Sequence, residues 1–477
     1  MRLYCLSPPS FYVFLLTLLC LSGCARVNFE ETLTRTNQAA AEFTDGNLAL
    51  AQTAEQRAFN TKTAETLLAQ PVNQQEAVHL ALVNDPAMQA MLAQHWSDAA
   101  RAAQSGRMAN PLLVFERTTL ADEIEYERLL AFGLLDVLTL PFRYASAQRR
   151  IEQSQVRLAM DVVDKVTQVR QSWVRAVAAQ QQLNYARQVN EVGEISAELA
   201  RRMQRVGNFN RLQRARQQAF YADAATQWAL AQQHAMATRE GLVRVLGLSD
   251  DQEKKLKLPE RLPDLPEAPR GPEEVGKAAQ RGRLDIQLAK TAFAAAAKEQ
   301  DLTLITSLTD IELGVRYDTV FDDAAGTRDN RKGYEITVRL PVFDWGDMQR
   351  DAMDAQTLAA ANQLEATVRA AGSQLRETYA AYRTAYDVAR HYRDEVLPLR
   401  KVISEENLLR YNGMLIGVFE LLADTRDQID TVSAAINTQQ DFWLTNAALQ
   451  AVIIGTPSMV QAGKETGKIR QRAEQPH

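Results

Sequence analysis

The 477-residue sequence predicts a mainly α-helical chain with a membrane β-barrel part, built from a helix–β-hairpin–helix unit that occurs twice. Three observations carry this reading. Long stretches with few prolines place apolar residues at helical spacing. Two shorter stretches switch to strand-like patterns bounded by polar turns. Pro141 and Pro341 lie 200 residues apart and Gly207 and Gly413 lie 206 apart, so two landmarks of one half recur at nearly the same separation in the other. That is the signature of a tandem structural repeat.

The first residues read as an export signal. Arg2 supplies a basic start, an apolar run follows from Phe11 to Leu21, and Leu21-Ser22-Gly23-Cys24 closes it. A run this short suits a signal-peptide core, here residues 1–23, better than a membrane-spanning helix. The closing tetrad resembles a bacterial lipobox, which implies acylation of Cys24, by palmitate among other chains, and lipid anchoring. Cys5 and Cys20 would leave with the signal, so a mature chain keeps Cys24 alone and forms no internal disulfide. Ala25 follows it, and in lipoproteins the absence of Asp there implies sorting to the outer membrane of a Gram-negative cell. No later segment offers the eighteen or so consecutive apolar residues that a spanning helix needs. If this chain crosses a membrane, it must do so with strands closed into a barrel.

Residues 24–72 are polar and weakly periodic, and read as an extended lead-in from the lipid anchor. Repeat 1 covers 73–248. It opens with a helix from Gln74, interrupted at Asn84-Asp85-Pro86 because proline disfavours helix in the residue before it. A β-hairpin is expected over about 112–141, with strands Leu112–Leu120 and Ala131–Leu140 and the polar stretch Ala121–Arg128 between them. After Pro141 a long helix is expected from Arg143 to Arg205. Val162, Val166, Val169, Trp173 and Val177 recur in steps of three and four along it, a coiled-coil seam. At ~1.5 Å per residue it would be about 90 Å long. Gly207 and Asn210 mark a tight turn, with glycine as the helix stop and Asn210 as the next N-cap, before a return helix over 211–246.

Five prolines between 249 and 272 form a linker. Repeat 2 covers 273–455, with a hairpin over about 305–343 whose strands are Ile305–Val320 and Tyr334–Phe343, joined by the polar loop Phe321–Gly333. Ile311, Leu313, Val315 and Tyr317 alternate with Glu312, Gly314, Arg316 and Asp318; Tyr334, Ile336 and Val338 alternate with Glu335, Thr337 and Arg339. Such strands have one apolar and one charged face. A long helix over 346–411 follows, kinked at Pro398, then a turn at Gly413, a return helix over 418–453 and a polar tail over 456–477.

Little here points to chemistry. The five histidines (His79, His95, His234, His391, His477) are scattered without ligand spacing, and Asp161/Asp164 and Asp322/Asp323 lack a partner base. No enzyme, metal site or cofactor is expected. With 54 basic against 59 acidic side chains there is no concentrated basic character, so no nucleic-acid partner is expected.

The landmarks together resemble the outer-membrane efflux protein (TolC) family, lipoprotein type, over roughly residues 74–455. Glu76-Ala77-Val78-His79-Leu80-Ala81-Leu82 with Asn84-Asp85-Pro86 is similar to its first helix, and Asn110-Pro111 stands where its first strand begins. Leu340-Pro341-Val342-Phe343-Asp344-Trp345-Gly346 is similar to its exit from the second hairpin. Tyr411-Asn412-Gly413 followed by Glu420-Leu421-Leu422 resembles its periplasmic turn. The resemblance implies a homotrimer with a twelve-stranded barrel in outer-membrane lipid and a helical tube in the periplasm. Glu312, Arg316, Glu335 and Arg339 would then face the lumen. Its partners would be a periplasmic adaptor and an inner-membrane pump, in a tripartite efflux or type I secretion system. Members pass drugs, metal ions such as copper, or proteins, so the cargo is not specified.

In the family, acidic residues after the Gly413 turn narrow an aperture. Here the stretch is one residue longer: Glu420 falls on the first acid, while the second falls on Ala423 with Asp424 beside it. Glu420 and Asp424 are therefore aperture candidates, and a plain helix N-terminal dipole contact explains them equally well. Phe343 and Trp345 suit an interfacial aromatic belt or ordinary packing. Two alternatives, a periplasmic adaptor and a structural coiled-coil lipoprotein, fit less well: the first predicts one hairpin between compact β-domains, and the second leaves the strand pairs at 305–343 unexplained.

Overall fold

The computed structural model describes residues 28–121, 123–280, 282–306, 310–322, 325–340 and 342–456. Cys24, the signal segment, Pro341 and the polar tail from 457 lie outside these residues. The elements follow the order α1 (Phe29–Ala39), α2 (Ala41–Thr44), α3 (Ala54–Leu67), α4 (Gln74–Asn84), α5 (Pro86–Ser105), β1 (Leu112–Leu120), β2 (Glu123–Gly133), α6 (Leu134–Arg205), α7 (Arg211–Leu246) and α8 (Asp250–Glu253). Then come α9 (Pro272–Gln280), α10 (Leu284–Thr306), β3 (Asp310–Asp322), β4 (Thr327–Arg339) and α11 (Asp347–His391). A π-helical turn (Tyr392–Val396), α12 (Leu397–Asn412) and α13 (Val418–Ile454) complete the chain. The helix–hairpin–helix unit thus occurs twice.

Several boundaries differ from the sequence reading. Residues 24–72 were expected to be extended, yet three helices lie within them. Helix α3 opens on a reciprocal capping box in which Thr53 accepts from the Gln56 N–H and the Gln56 side chain accepts from the Thr53 N–H. The first hairpin is shifted too. β2 starts at Glu123, inside the stretch read as a polar loop, and the segment read as its strand, Ala131–Leu140, is helical from Leu134. Pro141 lies within α6 rather than before it. Arg143 spans the proline turn with an ion pair to Asp136 at 2.6 Å. In the second hairpin the expected thirteen-residue loop shrinks, because pairing continues to Asp322↔Thr327.

One compact unit gathers the strands with residues 93–158 and 286–368 and residues 28–32. Within it Phe29 stacks on Trp96 at 5.8 Å, and Gly106 lets α5 approach α6 closely, since a Cβ there would stand 2.7 Å from the Ala147 Cβ. Arg143 also donates to the Ser105 and Arg107 carbonyls, supplying a cation where α5 leaves its carbonyls unpaired.

The other unit gathers residues 33–92, 159–285 and 369–456. Its core includes Leu265, Val275, Tyr382, Tyr386, Phe442, Leu449 and Ile453. Phe442 lies 5.7 Å from both Tyr382 and Tyr386. The proline-rich linker is strapped to this core. Its carbonyls have few backbone donors, because proline has none, and side chains serve instead. Tyr386 Oη donates to Glu267 O at 2.9 Å, Trp443 Nε1 and Gln439 Nε2 donate to Pro263 O at 3.0 and 2.7 Å, and Tyr382 Oη accepts from Arg270 N at 3.1 Å. A second fastening uses Asn84-Asp85-Pro86. Asp85, 2 % exposed, pairs with Lys165 Nζ at 2.6 Å and caps the start of α5 through Ala87 N at 2.9 Å. Gly247 ends α7 at φ +64° directly against Asp85, where a Cβ would come within 2.6 Å of the Asp85 Cα.

Candidate functional site

The four strands form one antiparallel sheet in the order β1-β2-β3-β4, with β1 and β4 as unpaired edges. Both hairpin turns lie at one end, and the chain joins the strands to α5, α6, α10 and α11 at the other. Pairing sorts the side chains onto two faces, because directly opposed residues share a face. Leu113, Leu130, Val315 and Tyr334 form one rung of an apolar face; Phe132, Leu313 and Ile336 form the next toward the helices, followed by Ile311 and Val338. These groups are not hidden. Tyr334 is 81 % exposed, and Leu113, Val315, Ile336 and Val338 are exposed as well. An exposed apolar sheet of this kind signals a partner or a membrane.

The opposite face is charged. Glu116, Glu123, Glu125, Glu127, Glu312, Asp318, Asp322, Asp329 and Glu335 stand on it, against Arg316, Arg331 and Arg339. The sequence-read candidates Glu312, Arg316, Glu335 and Arg339 all stand on it. Arg316 bridges Glu127 at 2.7 Å and Asp318 at 2.6 Å, and Arg331 reaches Glu125 at 3.7 Å. Gly314 leaves room on this face for Leu129, whose Cδ1 would lie 2.6 Å from a Cβ. Sequence reading missed Glu123, Glu125 and Glu127 as sheet residues. Their alternation with Ile124 and Tyr126 was the available signal.

The helix turns belong to the other unit. Gly207 turns the chain at φ +82°, and Asn210 caps α7, accepting from Gln213 N at 2.8 Å. The sequence places the second turn at Gly413 without specifying its backbone conformation. Gly413 has φ −82°, and Met414 takes the left-handed conformation at φ +59°. Glu420 stands exposed in the first turn of α13. Asp424 does not resemble an open aperture residue: it is 7 % exposed, and Arg400 contacts it at 3.5 Å while reaching Asp427 at 2.9 Å. Arg400, missed in the sequence, ties α12 to α13.

Farther along the helices, a groove of about 640 Å³ is lined by Tyr185, Phe220, Asp223, His234, Arg426 and Asp430, among others. The Arg426 guanidinium lies 4.8 Å from the Phe220 ring centre. Burial, aided by the Asp430 charge, pushes the Tyr185 phenol up to about 12. Among the described residues no group of three potential ligands could hold a metal, and no helix is long and apolar enough to cross a membrane.

No protein-family model and no curated protein matches the chain by sequence. Solved structures do match it in three dimensions. A membrane protein from Pseudomonas aeruginosa superposes with a TM-score of 0.68 at 18 % identity, covering 80 % of this chain and 93 % of that one. The outer membrane protein VceC from Vibrio cholerae gives 0.65 at 13 % identity, covering 84 % and 97 %. The CmeC outer membrane channel of Campylobacter jejuni gives 0.65 at 13 % identity, covering 83 % and 86 %. The chain has the outer-membrane channel fold. Coverage of most of each neighbour means that this fold is present nearly whole, strands and helices together. At such identities the shared property is the fold, and it agrees with the tandem helix–hairpin–helix architecture expected from the sequence.

Proposed function

We propose that the chain is one third of a passive exit duct in a Gram-negative outer membrane, a member of the outer-membrane efflux (TolC) family. The observation that carries this is the two-faced, open-edged sheet. Four strands cannot close a barrel, and open edges are not tolerated in lipid. Three copies around an axis would pair β4 of one with β1 of the next and leave no edge. The apolar face would meet lipid and the carboxylate-rich face a water-filled lumen. The helices would continue the passage through the periplasm, with the Gly207 and Gly413 turns at the far end. A periplasmic adaptor and an inner-membrane pump would dock there and supply the energy; Cys24 would add a lipid anchor. The duct itself would catalyse nothing.

The test is reconstitution. Purified protein should run as a heat-resistant trimer and give single-channel conductance in planar bilayers. An adaptor or a structural coiled coil would give neither result. Glu420→Gln tests the tip separately: a ring of three Glu420 carboxylates predicts weaker cation selectivity and weaker divalent block in the variant, whereas a helix-dipole role leaves both unchanged.

A further inference from the structure

We infer that the turn end of the apolar face is a docking surface for phosphate groups borne by a membrane lipid. This rests on the reading of the strands as membrane-embedded. The rungs nearest the helices are purely apolar, but the three rungs nearest the turns are not. They carry Arg117, Arg128, Arg328 and Lys332. Each arginine lies across an aromatic ring of the same face: Arg117 is 5.9 Å from Tyr126, Arg128 is 5.7 Å from Tyr317 and Arg328 is 5.3 Å from Phe321. Lys332 is paired directly opposite Tyr317.

The contrast between the two faces carries the argument. On the charged face, Arg316 and Arg331 have carboxylate partners. On the apolar face the same rungs hold four cations and no acid, and among the described residues none of the four is joined to a carboxylate. Random placement of charge would mix the signs. Here a lipid-facing surface is apolar for three rungs, then cationic and aromatic for three.

Depth agrees with this division. Rungs lie ~6.8 Å apart along a strand, so three of them span roughly 14 Å between first and last, or about 10 Å of depth at a 45° tilt. The polar headgroup zone on one side of a bilayer is on the order of 5–8 Å thick. The two rungs nearest the turns therefore fit within the headgroup level distal to the helices, and the third reaches its inner boundary. There a guanidinium is tolerated, whereas nearer the hydrocarbon centre it is costly. A planar guanidinium fork matches phosphate oxygens two at a time, and the aromatic floor holds the fork flat. Acyl chains of the same lipid would lie along the apolar rungs below. That continuity favours a lipid over free phosphate, which has no apolar portion.

The experiment compares wild type with the fourfold variant R117Q/R128Q/R328Q/K332Q in phosphatidylcholine vesicles. The vesicles contain either diphosphorylated lipid A or its dephosphorylated form, and a third arm adds inorganic phosphate alone. Trimer dissociation temperature and co-purified lipid are measured. The phosphorylated lipid should raise the dissociation temperature of wild type. The dephosphorylated lipid and free phosphate should not. The variant should lose the rise and bind the phosphorylated lipid at least about tenfold more weakly, since each cation near an anionic surface contributes roughly fivefold. Equal effects of the two lipids, or an undiminished effect in the variant, overturn the inference. Channel conductance in pure phosphatidylcholine separates the two levels of the argument: wild type that never conducts refutes the duct itself, whereas conduction without lipid discrimination refutes only the docking surface. Conductance of the variant equal to wild type shows that its barrel has formed.

Discussion

Arg400 is the sharpest test of how the second helix turn is held. It is the sole guanidinium contacting both Asp424 and Asp427 among the described residues, and it joins α12 to α13 at 3.5 and 2.9 Å. Replacing it with Ala removes two attractions of unequal weight. Asp427 is 62 % exposed on its side chain, so solvent screening leaves that pair worth at most about 0.5 kcal/mol. Asp424 is 6 % exposed on its side chain and would keep a buried charge without a cation. Breaking a fully buried pair costs about 3–5 kcal/mol, but a 3.5 Å contact to a quarter-exposed arginine sits below that range. An overall cost of about 2 kcal/mol follows. Amide hydrogen exchange reads it directly: protection across 400–430 should fall roughly 30-fold, with the remaining helices unchanged. The doubly substituted Arg400→Ala/Asp424→Asn chain should recover most of the loss, because the cost lies in the stranded carboxylate. A change below about threefold in the single variant, or no recovery in the double one, refutes the reasoning.

Three further outcomes are expected. Glu116, Glu123 and Glu312 stand exposed on the charged face, and changing all three to Gln should lower the cation-to-anion permeability ratio of the reconstituted channel by at least about twofold. Gly247→Ala should lower stability by about 2 kcal/mol or more in denaturant titrations, since it imposes a left-handed residue and a Cβ against Asp85. For Tyr185 the folded phenol is raised to about 12 from 10.0, so the neutral form is favoured in the folded chain. Its contribution is intact below pH 10 and is lost as pH rises toward 12; Tyr185→Phe should flatten that alkaline decline in unfolding experiments.

Much of the fold was legible because the landmarks are chemical. Gly207, Asn210 and Asn84-Asp85-Pro86 each demand one backbone geometry, and that geometry is found. The charged and apolar alternation of β3 and β4 was equally direct. The failures have physical causes. Ala131–Leu140 is a short continuous apolar run, and such a run fits a buried helix as well as a strand. Glu123–Arg128 looked like a loop because a strand with water on one side can be half acidic. Helix α3 has weak apolar periodicity, and the Thr53/Gln56 capping signal was the clue overlooked; in α1 the overlooked clue was the helical spacing of Phe29 and Leu33 within a polar stretch. Cation placement on the apolar face depends on strand register, which no single strand reveals.

The π-helical turn before Pro398 alters the phase of everything after it. Pro398 cannot donate to the Asp394 carbonyl, and the Leu397 N–H reaches back to Tyr392 O instead, taking one residue more than an α-turn holds. One extra residue rotates the downstream helix by about 100°. The buried stripe of Tyr382, Tyr386 and Ala389 therefore ends at that turn, and a different azimuth, including Arg400, is brought round to α13. Deleting a single residue within 392–396 together with Pro398→Ala would restore an unbroken α-helix and swing Arg400 away from Asp424. Without altering either charged partner, such a one-residue change in winding would unlatch the helix pair.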